Sequence, residues 1–198
     1  MDKQDFLKQI TDTAYNVGFG AKKHFATFDI VDKAPGWIGF ILMAIGILAL
    51  FIDVLSKKEM SSFLIILGVI GLYINFYNET KNQYAEKGTE LTKLFNELKT
   101  LYFKVKGSSQ SVFEDEQKSF SDIDTRYYAN CLHKQIFLSD WYAHYKFFWQ
   151  HQIDWVNEQK QFKFWRDKVP LSFIFAVFIV FVIIICFGCC ALLKGRLL

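Results

Sequence analysis

The sequence predicts an all-α membrane protein with a transmembrane helical hairpin, long cytoplasmic helices and an additional C-terminal transmembrane helix. Two uncharged runs, residues 34–52 and 61–78, lie close together in the first half of the chain. A third uncharged run, residues 169–193, lies near its end. A helix needs about 20 apolar residues to cross the hydrocarbon core, where the backbone must satisfy its own hydrogen bonds. The short polar break between the first two runs makes them antiparallel.

The three runs divide the chain into four predicted parts. Residues 1–35 form an amphipathic N-terminal helix, 36–78 the transmembrane hairpin, 79–168 a cytoplasmic helical region and 169–193 the C-terminal transmembrane helix. The cytoplasmic region holds fourteen Lys or Arg against thirteen Asp or Glu, so it lacks the basic surface of a nucleic-acid-binding protein. We therefore expect no direct binding to nucleic acid.

Apolar side chains in residues 3–33 recur at steps of three and four, which predicts an amphipathic helix. This helix is expected to lie on the membrane surface or on the cytoplasmic region. Gly18 and Gly20 weaken its centre and predict a bend. Pro35-Gly36 is expected to interrupt it just before Trp37, an anchor at the membrane interface. The predicted apolar face consists of Phe6, Ile10, Ala14, Val17, Ala21, Phe25 and Phe28.

Small and polar residues form a stripe on each hairpin helix. In the first helix they recur every seven residues, at Gly39, Gly46 and Asp53. In the second they fall on one face, at Gly68, Gly71, Asn75 and Asn78. Small residues let a neighbouring helix approach closely. Either the two stripes pack on each other with hydrogen bonds from Asn75, or the second stripe lines a water path in an oligomer. Stripe packing and a water path occur together if several hairpins assemble.

The second membrane helix is expected to continue into the cytoplasm as a stalk that ends at the small polar cluster 107–111. Its apolar residues follow a coiled-coil-like pattern, with Lys87 inside the seam. The seam therefore either associates with another copy or packs on a later helix of the same chain. Its members are Tyr84, Leu91, Leu94, Leu98, Leu101 and Val105.

From about Arg126 to Lys168 the pattern is helical again and heavily aromatic. Its wide apolar band requires partners on two sides, expected to be the stalk and either the N-terminal helix or the membrane surface. One predicted stripe consists of Phe137, Trp141, His144, Phe148, His151 and Trp155, and its neighbour consists of Cys131, Leu138, Tyr142, Tyr145, Trp149 and Val156.

The sequence contains no phosphate-binding glycine loop, zinc-protease motif or nucleophile elbow. Seven helical residues place His144 and His151 about 10.5 Å apart, too far to share one metal ion. Asp140 and His144 form either a local hydrogen bond, a pH-sensitive contact or two ligands of a site completed elsewhere. We predict no catalytic residues, no metal and no cofactor.

The aromatic stripe allows one ligand hypothesis. A nucleotide base would stack on Trp141, His144, Phe148 and His151, and Lys134 or Lys146 would meet its phosphates. Helix packing explains the same residues without a ligand. The cysteines form no disulfide framework, because one is isolated and three lie in the last apolar run, at Cys186, Cys189 and Cys190.

The distribution of basic residues near the membrane ends predicts the orientation. Three crossings place the two termini on opposite sides, and the side with more Lys and Arg faces the cytoplasm. The N-terminus and central region are therefore expected in the cytoplasm and the C-terminus outside. The richer side has nine, Lys22, Lys23, Lys33, Lys81, Lys87, Lys160, Lys163, Arg166 and Lys168, and the other has four, Lys57, Lys58, Lys194 and Arg196.

Two segments carry a family resemblance. AYNVGFGAKKHFATFDI precedes the hairpin, and GLYINFYNETKNQYAEKGTEL leads into the long helix. With these segments, roughly residues 5–160 resemble the SLATT family, the two-transmembrane effector domain associated with SMODS nucleotidyltransferases and SLOG sensor domains in bacteria. The third apolar run departs from the family's two-helix pattern. The matching residues are Tyr15, His24, Phe25, Asn75, Phe76, Tyr84, Gly88 and Leu91.

The resemblance implies an effector of a bacterial conflict system, commonly antiphage defence, that oligomerises and permeabilises or depolarises the inner membrane on activation. Its implied partners are the lipid bilayer, further copies of the chain, and a sensor, nucleotidyltransferase or other defence protein that supplies the signal. Two other hypotheses stay open. One is a non-conducting membrane scaffold that recruits a cytoplasmic partner through its aromatic helices, and the other is a small enzyme that uses Asp140 and His144.

Overall fold

The computed structural model describes residues 2–110 and 112–195, with side chains as far as Cys186. Every regular element in these ranges is a helix. The chain forms two compact units, divided in sequence between Lys160 and Gln161. Some predicted features concern side chains outside the described ones, namely the thiols of Cys189 and Cys190 and the charges of Lys194 and Arg196 used for the orientation.

Helix α1, Lys3–Leu48, is one continuous element that includes Pro35. The predicted interruption of the helix at Pro35-Gly36 is wrong. A proline removes only one backbone N–H donor, and the turns on either side keep theirs. Those turns are also held by packing, because Val31 and Ile38 join one apolar cluster on the two sides of the proline.

Helix α2, Lys58–Asn75, folds back along the second half of α1 to form the apolar hairpin. The connection contains a 3₁₀ turn, Asp53–Ser56. Both helices hold stretches long and apolar enough to cross a membrane, as judged from length and composition. The half-buried positions that mark their contact include Ala34, Ile38, Leu42 and Ile45 in α1 and Met60, Leu64, Leu67 and Gly71 in α2.

The chain continues from α2 into the next helix as expected, but one tighter turn separates the two helices. A 3₁₀ turn, Asn78–Thr80, joins α2 to α3, Lys81–Gly107. The backbone of Phe76 and Tyr77 stays in the right-handed helical region through this junction. The direction of the chain is thus carried from the hairpin into α3.

Helices α1 and α3 form the centre of the first unit and run antiparallel. The start of α1 lies at the end of α3, where the Lys3 ammonium donates to the carbonyls of Lys106 and Ser108 at 2.9 and 2.6 Å. The predicted face of α1 packs here rather than on a membrane surface. The fully buried side chains along this contact include Phe6, Ile10, Ala14 and Val17 in α1 and Leu91, Leu98, Tyr102 and Val105 in α3.

Three further helices complete what we call the helical layer, which comprises residues 3–31 of α1 together with α3–α6. They are α4, Glu114–Ala129, α5, Ser139–Gln150, and α6, Asp154–Lys160. Helix α4 packs mainly on α3, whereas α5 and α6 pack on α1. The glycine at position 18 is explained by packing rather than by the predicted bend. A Cβ there would lie 2.8 Å from the Phe95 ring and 2.9 Å from the Phe147 ring.

The predicted helical pattern from Arg126 to Lys168 is wrong in two places within the first unit. Residues 130–138 and 151–153 are not helical, so the two aromatic stripes do not continue along one helix. Leu138 has a left-handed backbone with φ of 68°. Phe137 is accordingly 72% exposed, although Trp155 of the same predicted stripe is 4% exposed.

The second unit contains one turn and one apolar helix. The turn covers Phe164–Lys168, and helix α7 covers Leu171–Gly195. The carbonyl of Pro170 accepts the N–H groups of Phe173 and Ile174 at 3.0 and 3.2 Å, so the proline stands at the helix start, where its missing N–H costs nothing. The apolar helix at the predicted position is present, and its crossing of a membrane stays a prediction.

Candidate functional site

A non-helical segment crosses the base of the hairpin on the side of the helical layer. We call this segment, residues 130–138, the strap. Because it has no regular structure, its backbone groups need partners from elsewhere. Side chains of α1 and α3 supply them, more than forty positions away in sequence.

On the α1 side, His24 and Thr27 hold the strap. The Leu132 N–H donates to His24 Nε2 at 3.1 Å, and the Thr27 hydroxyl donates to the Gln135 side-chain oxygen at 2.5 Å. The Gln135 amide in turn donates to the Leu132 carbonyl at 2.8 Å. The strap is thus bonded to α1 through both its backbone and a side chain.

On the α3 side, Tyr84 and Lys87 hold it. The Tyr84 hydroxyl donates to the Lys134 carbonyl at 2.6 Å, and the Lys87 ammonium donates to the Asn130 side-chain oxygen at 2.8 Å. Each neutral hydrogen bond of this kind contributes about 1 kcal/mol. Lys87, which interrupts the seam in sequence, therefore has a defined role at the start of the strap.

An apolar contact locks the strap to the hairpin itself. Ile136 is buried in a cluster with Val31, Ile74, Tyr77 and Tyr84. Burying a side chain of this size contributes roughly 1.5–3 kcal/mol. The cluster draws on α1, α2, α3 and the strap together, so movement of the hairpin base would disturb the strap.

The two hydrogen bonds of His24 define its protonation. Its Nδ1 lies 2.7 Å from the Gly20 carbonyl and donates to it, while Nε2 accepts from the strap. Only the neutral ring can do both. Burial lowers the pKa of His24, and the charges of Lys23 and Lys87 lower it further. Protonation of Nε2 would place two donors against each other and break the contact with the strap.

A close approach of α1 and α3 stands beside this histidine. A Cβ at Gly88 would lie 3.0 Å from the Phe25 ring, so glycine admits the aromatic side chain. The His24 and Tyr84 rings lie 6.2 Å apart. Four of the residues that carry the family resemblance therefore meet where the strap is anchored.

A cavity of about 330 Å³ opens between the strap and the turn that joins α2 to α3. The Lys134 ammonium reaches back over the Tyr77 ring, 5.0 Å from its centroid. The residues that line the cavity include Phe76, Tyr77, Thr80, Gln83, His133 and Lys134.

The predicted ligand stripe lies in the aromatic interior between α1, α3 and α5. The His144 ring is 4.9 Å from the Phe19 ring, and the His151 ring is 4.7 Å from the Phe95 ring. Trp141 and Phe148 of the stripe are half-buried. Burial lowers the pKa of both histidines, that of His151 to about 4.

Charged groups around this interior pair with each other. Asp140 bonds Lys23 at 2.7 Å, which differs from its predicted pairing with His144. The Asp29 carboxylate forms ion pairs with both Lys146, at 2.5 Å, and Lys33, at 2.7 Å. In the described ranges, His, Cys, Asp and Glu form no group suited to hold a metal ion. Lys146, one predicted phosphate contact, is thus engaged within the chain.

The residues of the predicted seam are buried inside one chain. Tyr84, Leu91, Leu94, Leu98, Leu101 and Val105 are all at least 93% buried. They pack chiefly on α1, which precedes the seam in sequence, rather than on a later helix. This arrangement leaves no exposed seam for a second copy.

Packing of the two hairpin stripes on each other was one of two predicted alternatives, and three of their four glycines have open space beside them. A Cβ at Gly39, Gly46 or Gly68 would meet nothing within 4 Å, whereas one at Gly71 would lie 3.6 Å from Ile38. Large apolar side chains and Gly71 form the contact between the two helices, whereas Gly39 and Gly46 are exposed. Gly68 and Gly71, three residues apart, lie on one side of α2 and are both half-buried, and the exposed polar members are Asp53, Asn75 and Asn78.

Sequence patterns did not identify the strap as a site. Its polar partners, such as Thr27 and Gln135, carry no local signal because they are 108 positions apart. The family-specific residues His24 and Tyr84 pointed toward this region, and Lys134 was predicted there only as a phosphate contact.

A family model described as SMODS and SLOG-associating 2TM effector domain 6 matches residues 1–177. The matched range covers both hairpin helices, the whole helical layer and the strap. It confirms the resemblance carried by the segments around His24 and Tyr84. The family's two-transmembrane description and the two long apolar helices together indicate a membrane protein. Neither the curated proteins nor the solved structures include a match to the chain.

Proposed function

Since the chain belongs to the SLATT family of two-transmembrane effector domains, we propose that it is an oligomeric effector of the bacterial inner membrane. In this proposal it serves an antiphage or other conflict system and permeabilises or depolarises the membrane on activation. A sensor or nucleotidyltransferase partner supplies the signal. The helical layer and N-terminus lie in the cytoplasm, and α7 crosses the membrane to place the C-terminus outside.

The outward face of the hairpin carries this proposal. Gly39, Gly46 and Gly68 leave open space where a neighbouring helix would fit, and Asn75 is exposed on the same hairpin. Polar side chains exposed at membrane depth are costly unless they meet another polar group or water. In an assembly of several hairpins, neighbouring helices would pack on the small residues, and the Asn75 amide would meet another polar group or water. More than one hairpin is required because two helices alone enclose no water path.

The helical layer supports a coupling role. Its interior is complete within one chain, and its strap is bonded to the base of the hairpin through His24, Tyr84 and Ile136. A signal that shifts the layer would therefore be transmitted to the hairpin. We propose no enzymatic activity and no cofactor for this chain. Of the two residues in the enzyme hypothesis, Asp140 forms an ion pair with Lys23 and His144 contacts the Phe19 ring.

The test is membrane potential in bacteria that express the full chain, followed with a voltage-sensitive dye. The variant Asn75→Leu should abolish depolarisation because it removes the amide from the proposed path, while insertion is unchanged. Asn82→Leu, at an exposed position of α3, is the matched control and should depolarise like the unmodified chain. Equal depolarisation by both variants would contradict the proposed lining.

Exposed aromatic side chains of the layer favour a second candidate, the non-conducting scaffold. Tyr128 and Phe137 are 71% and 72% exposed, which suits recruitment of a cytoplasmic partner. This hypothesis predicts that Phe137→Ser abolishes function in the complete defence system. It also predicts that no ion flux occurs with any partner present, so flux measurement separates the two candidates.

A further inference from the structure

The cavity beside the strap stands at a defined depth relative to the hairpin. The last apolar residue of α2 is Ile74, and Phe76 and Tyr77 of the cavity follow it by two and three residues, about 3–4.5 Å along a helix. The headgroup region of a bilayer occupies roughly 5–8 Å on each side of the hydrocarbon core. If the hairpin spans the membrane, as we propose, the cavity opens among the lipid headgroups.

The cavity also combines an apolar edge with a cation. Phe76, 80% exposed, stands on the side of the hairpin, and Lys134 stands on the side of the strap. The Lys134 ammonium contacts the Tyr77 ring but no carboxylate in the described part of the chain. Lys81, which follows Thr80 of the cavity lining, differs because it forms an ion pair with Asp32 at 2.9 Å. The charge of Lys134 is therefore available to an anion from outside.

The lining favours a phosphate over other anions from the surroundings. It contains no Asp or Glu, and Gln83 and His133 offer further hydrogen-bonding groups next to Lys134. Basic pockets next to membrane helices on the cytoplasmic side are suited to anionic lipid headgroups. An apolar edge at the level of Phe76 suits the start of an acyl chain.

We propose that this cavity binds the phosphate of an anionic phospholipid from the cytoplasmic leaflet, with Lys134 as its principal cation and Phe76 against the acyl chain. The carbonyl of the same Lys134 accepts the Tyr84 hydroxyl. A bound lipid therefore connects the membrane surface to the strap and stabilises its contact with the hairpin base. The site depends on the membrane placement in the proposed function but not on ion conduction.

The experiment uses the purified full chain in detergent micelles, with bound lipids counted by native mass spectrometry. Phosphatidylglycerol and phosphatidylcholine are titrated separately onto the unmodified chain and onto Lys134→Gln. A basic residue near an anionic lipid surface contributes about fivefold in affinity, so phosphatidylglycerol should bind about fivefold more weakly to the variant. Phosphatidylcholine should bind equally to both, and Lys134→Arg should retain the preference.

Lys93→Gln is the matched control, because Lys93 is exposed on α3 twelve residues beyond Lys81, far from the cavity. It changes the net charge equally and should leave phosphatidylglycerol affinity unchanged. An equal loss in both Gln variants, or no loss in either, would overturn the site. Displacement of the lipid by millimolar inorganic phosphate would overturn the lipid as its ligand.

Vesicle flotation of the same preparations separates this proposal from the proposed function. A chain that does not float with phosphatidylcholine–phosphatidylglycerol vesicles contradicts both. A chain that floats, yet shows no preference that depends on Lys134, contradicts only the lipid site.

Discussion

The helical layer and the apolar hairpin use glycine in opposite ways. In the layer, Gly18 and Gly88 admit aromatic rings of the same chain, which come within about 3 Å of where a Cβ would stand. In the hairpin, Gly39 and Gly46 have no neighbour within 4 Å. The layer therefore specifies a structure that one chain completes, whereas the hairpin retains a surface for something outside the chain.

Charged residues follow the same division. In the layer they bond across helices, as Lys146 does with Asp29 and Lys160 with Asp12. At the hairpin base, the Lys134 ammonium contacts the Tyr77 ring and no carboxylate among the described residues. The helical layer pairs its charges within the chain and needs no external partner for them. The hairpin base, with the unpaired Lys134 ammonium, is suited to bind an anion from outside.

The largest expected effect tests the two kinds of glycine directly. Gly18→Val would push a branched side chain into the Phe95 and Phe147 rings, and overpacking of this kind costs up to about 3 kcal/mol. We expect the melting temperature of the full chain in detergent to fall by about 6–12 °C. Circular dichroism at increasing temperature measures it.

Gly46→Val is the matched change in the hairpin. With open space around it, this variant should melt within about 2 °C of the unmodified chain, since a difference below about 0.5 kcal/mol is expected for a site without contacts. It should instead weaken association between copies, measured by cross-linking in membranes. Equal destabilisation by the two variants would break the distinction between layer and hairpin.

A second, smaller effect concerns pH, and it belongs to the layer alone. Burial lowers the pKa values of His24, His144 and His151 below the ordinary value of about 6.5. Below pH 6.5 the unfolded chain therefore binds more protons than the folded chain, and the free energy of unfolding falls as pH falls. The loss for His151 extends from about pH 6.5 to about pH 4.

Thermal melts at pH 7.5 and pH 5 measure this loss. The paired carboxylate of Asp29 has a lowered pKa, so its contribution to the free energy of unfolding is lost only below about pH 4. That loss lies outside the range between the two melts. His151→Phe should reduce the difference between the two melts, whereas His133→Phe, at an exposed position, should preserve it. A difference that is unchanged in His151→Phe would contradict the assignment to buried histidines.

The sequence predicted those parts of the fold in which local periodicity and burial agree. The apolar runs of the hairpin follow from the length that a hydrocarbon core requires. The face from Phe6 to Ala21 follows from helical spacing, and these residues are buried in the layer. The partner of that face was left open between the membrane surface and the cytoplasmic region, because periodicity shows which side is buried and not what covers it.

The strap and the orientation of the glycines required the structure. An aromatic pattern at helical spacing predicted a helix through residues 130–138, but hydrogen bonds from His24 and Tyr84 hold that segment in another conformation. Such tertiary bonds override local propensity and leave no periodic signal. Likewise, a stripe of glycine gave no means to tell an internal contact from an outward face, and only the position of Ile38 beside Gly71 separates the two.

The smallest effect sharpens the comparison at the boundary between the two regions. Tyr84→Phe removes one hydroxyl and leaves the Lys134 carbonyl without its donor, at a cost of about 1 kcal/mol. The ring keeps its place in the apolar cluster with Ile136, so the fold is retained. We expect a small fall in melting temperature and a local increase in hydrogen exchange at the strap.

Tyr128→Phe is the control, because its side chain is 71% exposed on α4 and should change neither measurement. Exchange that rises in the strap and at the hairpin base, but not in α4, would mean that the strap couples the layer to the hairpin. Exchange that rises evenly through the layer would mean that Tyr84 stabilises the interior in general, and the strap would then have no separate role in transmitting a signal.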